Sequence, residues 1–501
     1  MKKINTRLLP LLAVWAVQLA AGLVVLHKIR TLDMLPGKYV ALAWGLLLLL
    51  AGLTGVLMLL PGRKEGKGRR IAGAVIAILV AVGCLFGSST LSKLSHTMNS
   101  ITHGQNTGIT ATVGVYVLEE DPAQTLADAK DYTFAIQNIT NFFMTQAVEK
   151  IEEELGSKIA TENYDIIGNA VDALYNQDVQ ALILDQAYVS LLEDSEVYSN
   201  FFQRARLIYE VPVSRVRDDD GNGGSGGKDV NQHTDITDTP FILYLSGLDT
   251  RSRMLSTSRS DVNILAVVNP STHQILLVNT PRDYYVANPA GGGALDKLTH
   301  CGVYGIECSM SALGSLYNTS VDYYAQINFT GFETLIDAIG GVTVYSDTSF
   351  NAGGVYPIQE GDNYLTGKAA LAFARERHRL SGGDNDRGKN QMQVIRAVVQ
   401  KLSSGAILTN YSSIMDSLAG MMLTDFSSEN ISKLVKMQLA DMPRWNVQTY
   451  AVTGYGGSDY TYSMPGMALY VMYPNQDTVA HARDLIQRVL NGETLTASDV
   501  S

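Results

Sequence analysis

Three apolar runs crowd the first 91 residues of this 501-residue chain. Leu8–Leu26 and Tyr39–Leu60 carry no charge, and Ile71–Phe86 extends to Leu91 through small residues. Each approaches the roughly 20 residues that an α-helix needs to cross a bilayer. A cleaved signal peptide accounts for one such run, not for three in succession. The expectation is therefore a membrane anchor over residues 1–91, with spans at 8–26, 39–60 and 71–91. Only 17% of the chain is charged, against about 25% in ordinary soluble domains, which agrees.

Lys and Arg set the orientation of such an anchor. Lys2, Lys3 and Arg7 precede the first run; Arg63, Lys64, Lys67, Arg69 and Arg70 separate the second from the third. Placing those eight in the cytoplasm puts everything after about residue 92 outside. The expected location is the cell membrane, multi-pass, with a large extracellular carboxyl-terminal part. Two spans plus an interfacial helix would instead leave that part in the cytosol. The first 100 residues hold 12 Lys+Arg and 2 Asp+Glu; the rest hold 26 and 47. So acidic a remainder excludes a general nucleic-acid surface, which requires a basic footprint.

Of the three cysteines, Cys84 falls in the third run, while Cys301 and Cys308 stand seven positions apart. Outside the cell such a pair reads as a disulfide. Zinc needs more ligands than His300 adds.

Beyond the anchor the pattern is α/β. Over 107–214, strand candidates at Val113–Leu118 and Ala181–Leu184 alternate with helical spacing from Ala135 to Leu155 (Ile136, Ile139, Phe143, Ala147, Ile151), which favours a parallel sheet. Asn163–Leu184 loosely resembles half of a solute-binding-like domain. Residues 215–239 form a linker: Asp218–Gly227 is polar, Gly-rich and unable to bury a core. A second α/β domain follows over 240–405. Its strands are expected at Phe241–Leu245, Asn263–Val268 and Gln274–Asn279, and its helices at Ser309–Leu316, Gly331–Ile339, Gly367–Arg375 and Gln391–Leu402. Residues 406–501 read as an α/β extension of it.

Four charged clusters punctuate these elements: Ser246-Gly-Leu-Asp249-Thr-Arg251, Ser258-Arg259-Ser-Asp261, Pro281-Arg282-Asp283, and Arg375-Glu-Arg377-His-Arg379 followed by Asp386-Arg387-Gly-Lys-Asn-Gln391. Ligands of open α/β sheets collect at strand ends. Arginines bind phosphate oxygens through a planar fork, and magnesium takes one or two carboxylates plus water and phosphate oxygens. Singly, each cluster reads equally as a turn cap or a surface ion pair.

Together with Asn328-Phe-Thr-Gly-Phe332, Gly340-Gly-Val342 and Leu371-Ala-Phe-Ala-Arg375, these motifs resemble the LytR-CpsA-Psr family, in order, across about residues 240–405. The unit at 107–214 is similar to the accessory domain that some members carry. The chain has Asn390 before Gln391 where many members have Arg-Gln. The resemblance implies an α/β catalytic domain with a central mixed sheet flanked by helices. It implies a phosphotransferase that moves an anionic glycopolymer (teichoic acid or capsular polysaccharide) from a polyprenyl-pyrophosphate carrier to the muramoyl 6-hydroxyl of peptidoglycan, with Mg2+ or Mn2+ as cofactor. Partners would be the lipid-linked polymer, peptidoglycan and membrane lipid, with no nucleic acid. By the same resemblance, Asp249 and Asp261 match the metal-binding acids, and Arg259, Arg282, Arg375, Arg377, Arg387 and Gln391 match the pyrophosphate contacts. Asp261 or Asp283 is the candidate base. Phe329, Phe332, Leu335, Ile336 and Ile339, at helical spacing, line a lipid channel or pack in the core. Alternative readings are a lipid-pyrophosphate hydrolase and a non-catalytic wall-polymer sensor.

Overall fold

The computed structural model describes residues 9–59, 66–102, 110–137, 142–193, 195–214, 235–248, 258–377, 379–380, 384–404, 414, 418 and 421–500. Two compact units divide the chain: residues 1–100 with 402–419 and 427–444, and residues 101–401 with 420–426 and 445–501.

In the first unit three helices, Leu9–Leu32, Gly37–Leu59 and Gly66–Thr102, are long and apolar enough to cross a membrane. Within the described residues each covers its expected span, of which Leu8 and Leu60 fall outside them, and the third runs well past it. Lipid offers no hydrophobic drive between helices, so small residues and polar bonds hold them. Ala21, Ala81 and Cys84 pack together. Thr54 Oγ1 donates to Gln18 Oε1 at 2.8 Å, and Trp15 Nε1 to the Ala51 carbonyl at 2.9 Å. The helix Ser428–Asp441 belongs to this unit: Ile431 and Val435 pack on Met34, Leu94 and Met98, and Lys436 pairs with Asp33 at 2.8 Å. Residues 406–501 are thus not one extension of the catalytic domain, because the apolar face of this helix is covered by the anchor.

The second unit holds two sheets. The five strands of the first run, in spatial order, Ala160–Tyr164, Thr133–Gln137, Ala181–Asp185, Thr110–Leu118 and Ala205–Ser214. The pairs involving Thr133–Gln137 are parallel, whereas Thr110–Leu118 runs antiparallel to both its neighbours, so the sheet is mixed. The long helix expected from Ala135 is also corrected. Thr133–Gln137 is a central strand with Phe134 and Ala135 both buried, and the helix is Phe142–Leu155. A strand covered on both faces carries apolar residues without alternation, so its Ile136 fell into helical register with Phe143 and Ala147 of the next element.

The six strands of the other sheet run Met422–Thr424, Tyr323–Asn328, Phe241–Leu248, Ser260–Asn269, Gln274–Asn279 and Asn446–Ala451. The central three are antiparallel; Tyr323–Asn328 and Asn446–Ala451 add in parallel on either side. Helices Ile306–Tyr317 and Gln476–Leu490 cover one face through Ala312, Leu313, Tyr317, Val479, Leu485 and Ile486, against Leu265, Val267, Leu276 and Val278. This is the expected mixed sheet flanked by helices. The two modules share a core, in which Val303, Met464 and Leu469 pack among accessory residues and Tyr188 meets Tyr304 edge-on at 6.4 Å.

Candidate functional site

The site is built around a bulge. Gly247 pairs with Val262 and Leu248 with Ser260, which leaves Asp261 as the extra residue of its strand. A bulge bends the strand and re-aims the side chain it carries. A buried network holds this one. Ser260 Oγ bonds to Ser246 Oγ at 2.8 Å and to Tyr244 Oη at 3.0 Å. Tyr244 Oη donates to Asn263 Oδ1 at 2.6 Å, and Asn263 Nδ2 returns to the Ser260 carbonyl at 2.9 Å.

Opposite lies Pro281-Arg282-Asp283, just past the strand Gln274–Asn279. Arg282 Nη1 donates to Asp261 Oδ1 at 2.9 Å, and Arg282 Nε lies 3.5 Å from Asp283 Oδ2. Arg259 is 5% and Arg387 8% exposed, and both act electrostatically on Asp261. Burial pushes the Asp261 carboxyl up, but Arg282, Arg259 and Arg387 outweigh it and hold the group below its ordinary range. Arg387 arrives on the helix Asp384–Leu402, which begins seven residues before the expected Gln391. Gly388 sits so close to Asn279 that a Cβ would collide with its side-chain amide, so the helix can seat against the strand end. Gln391 is buried one turn further on.

Arg375 and Arg377 are not in this inner group. Both are exposed, and the Arg375 guanidinium lies over the Phe329 ring, 4.2 Å from its centroid. Between them Glu376 is buried and accepts from the Gly353, Arg377 and Arg379 amides and from Arg379 Nη1. Burial raises this carboxyl, and those hydrogen bonds bring it below its usual range. The loop is thereby fixed with its arginines projecting outward. Asn390 donates to the Phe373 carbonyl at 3.2 Å, tying together the helices that carry Arg375 and Arg387.

Asp249, Thr250 and Arg251 lie outside the described residues, as does His378. Of the apolar stripe, Phe329, Ile336 and Ile339 are buried, Ile336 completely, so Ile336 is core; Phe332 and Leu335 are half-buried. Cys301 and Cys308 are free thiols here, with Cys308 Sγ donating to Asn288 Oδ1 at 3.3 Å, so the expected disulfide is not formed. The neighbouring Cys308 thiol and burial push the Cys301 thiol up. Among the described residues no three His, Cys, Asp or Glu side chains form a metal-binding group.

The sequence reading missed Lys297. Its Nζ stands 3.4 Å from Asp283 Oδ1, and its side chain is 5% exposed. Next to it, Asp296 is wholly buried and accepts from His300 Nδ1 at 2.6 Å, from Asn288 Nδ2 at 3.0 Å, and from Ser463. Burial works against this carboxylate, and His300, Ser463 and Asn288 hold it below its usual range. The available signal was a charged pair, Asp296-Lys297, in the segment Leu295–Leu298, where charge demands partners.

A family model described as the LytR_cpsA_psr family matches residues 216–478. A protein of Oceanobacillus iheyensis named polyisoprenyl-teichoic acid–peptidoglycan teichoic acid transferase TagU is 34% identical over 252 residues, 49% of this chain and 75% of that protein. An Enterococcus faecalis protein of the same name is 34% identical over 197 residues, 39% and 64% of the two chains. A solved structure described as TagT bound to LI-WTA aligns at 25% identity and a TM-score of 0.43, covering 52% of this chain and 94% of that one.

Proposed function

Because this chain belongs to the LytR_cpsA_psr family, we propose that it is a phosphotransferase moving an anionic glycopolymer from a polyprenyl-pyrophosphate carrier to the muramoyl 6-hydroxyl of peptidoglycan, on the outer side of the membrane. One observation carries the chemistry: a strand-bulge carboxylate, Asp261, ringed by the guanidiniums of Arg259, Arg282 and Arg387, with the Lys297 ammonium beside Asp283. Four cationic side chains gathered about these two carboxylates suit a pyrophosphate.

In this reading the muramoyl hydroxyl attacks the polymer-bearing phosphorus. The bond to the bridging oxygen breaks, and polyprenyl phosphate leaves. Arg259, Arg282, Arg387 and Gln391 orient the pyrophosphate and stabilise the charge spread over its oxygens. Arg375 and Arg377, projecting outward, engage the phosphate nearer the surface. Asp283 or Asp261 is the candidate to take the hydroxyl proton. The carrier's apolar chain runs past Phe332 and Leu335.

The residues fit a magnesium ion of the substrate-bridging kind. Asp261, which accepts from Arg282 through one oxygen, and Asp249, which the resemblance adds, would hold it. No three-ligand protein group lies among the described residues, so phosphate oxygens and water would supply the remaining ligands. When bound, the ion withdraws charge from the pyrophosphate. The anchor keeps the site near a lipid-borne donor, raising its effective concentration.

The test follows labelled polymer from its lipid carrier. Polymer linked covalently to peptidoglycan, and lost on chelation, is the expected result. Polymer released into water with no acceptor product indicates a hydrolase instead.

A further inference from the structure

A tyrosine-rich hairpin stands outside the charged site. Gly454–Tyr460 pairs antiparallel with Ala468–Pro474, setting Ser458 opposite Tyr470 and Tyr460 opposite Ala468. Side chains alternate across a strand. One face is therefore Gly456, Ser458, Tyr460, Ala468, Tyr470 and Met472, of which all but the buried Met472 are exposed. The other face buries Leu469 and Val471. Tyr460 is 63% and Tyr470 53% exposed, and Tyr455, at the base of the hairpin, is 66% exposed.

The glycines account for how these rings are displayed. A Cβ on Gly456 would lie 2.9 Å from Tyr470 Oη and 3.0 Å from Cε2. Tyr470 thus rests across bare backbone, with one ring face against the strand and the other toward water. Gly457 seats Tyr473 in the same way. Flat, solvent-facing aromatic rings bearing hydroxyls are amphipathic platforms that cost little entropy to order.

Charge narrows what such a platform holds. From Val452 to Pro474 the chain has no Lys or Arg and a single carboxylate, Asp459. A polyanion gains nothing there. A pyranose does, because its C–H face stacks on a ring while its hydroxyls meet Ser458 and the phenols. The hairpin is also fastened to the charged site: Met472 N donates to the Asp283 carbonyl at 2.8 Å, and Tyr285 Oη to the Tyr460 carbonyl at 2.5 Å.

We propose that this hairpin stacks the uncharged sugar backbone of the acceptor glycan and leads it toward Arg282 and Asp283. Its identity as the acceptor platform rests on the transfer reading; the binding itself does not. The test uses the full chain in nanodiscs and titrates an uncharged N-acetylglucosamine hexamer, with poly(glycerol phosphate) as the anionic control. Each stacked ring contributes roughly threefold to tenfold in affinity. Tyr460→Ala with Tyr470→Ala should weaken hexamer binding by at least about tenfold. The paired Phe variants, which keep the rings, should stay near wild type, and poly(glycerol phosphate) binding should not change. Equal losses for Ala and Phe, no loss for Ala, or no hexamer binding by the wild type would overturn the proposal. Ring-dependent hexamer binding in a protein that never links polymer to peptidoglycan would sink the transfer reading and leave the platform standing.

Discussion

Arg282→Lys keeps a positive charge at the centre of the site but removes the planar fork. Arg282 reaches Asp261 at 2.9 Å with Nη1 while its Nε faces Asp283 at 3.5 Å. A lysine has one compact ammonium and cannot hold that geometry while also meeting a phosphate oxygen. The side chains are only 11% and 14% exposed, so solvent screens the interaction weakly. One lost charge-assisted hydrogen bond is worth about 1.5–3 kcal/mol. If that contact strengthens in the transfer state, the rate should fall roughly tenfold to a hundredfold. A mere surface ion pair contributes about 0–1 kcal/mol and predicts a change under about fivefold. The assay is transfer of labelled polymer from its lipid carrier to peptidoglycan fragments, with thermal melting to establish that the variant is folded. A folded Arg282→Lys protein working within about threefold of wild type would refute the role assigned to the guanidinium.

Asp185, 5% exposed, has its carboxyl pushed up to about 7 by burial, partly opposed by a hydrogen bond from the Ala187 amide. The folded group keeps its proton where the unfolded one, at about 4, has lost it. Its contribution is therefore full below about pH 4 and declines as pH rises through 7. Asp185→Asn should flatten that decline in melting temperature; an unchanged slope counts against it. Asp261→Asn should abolish most transfer and weaken magnesium binding in calorimetry, and unaltered binding would remove it from the metal's ligands. A reporter active only in the cytosol, fused after Ser501, should be silent, and a strong signal reverses the topology. Cys301 and Cys308 stand as free thiols, so protein unfolded without reductant should yield two alkylatable thiols in that peptide; none would mean that a bridge closes there after all.

What sequence alone could determine here was whatever depends on composition along a contiguous stretch. The three spans were legible because crossing lipid demands some 20 apolar residues in a row, whatever their neighbours. The strands Phe241–Leu248 and Gln274–Asn279 were legible from apolar runs bounded by turns. Arg259, Asp261, Arg282 and Arg387 were legible as types, since their motifs survive as short words. Tertiary structure decided the rest. Nothing local says that Asp261 is the bulged residue of its strand, because the bulge exists only against Gly247 and Leu248. Nothing local draws Arg387 to Asp261 while leaving Arg375 on the Phe329 ring. Lys297 joins the site only because its strand Leu295–Lys297 pairs with Tyr285–Ala287, just after Asp283. The helix Ser428–Asp441 belongs to the anchor because Met34, Leu94 and Met98 cover its apolar face. One-dimensional pattern records which faces must be buried. Which partner buries them, and which charges then meet across the fold, depends on chain pairings between residues far apart in sequence.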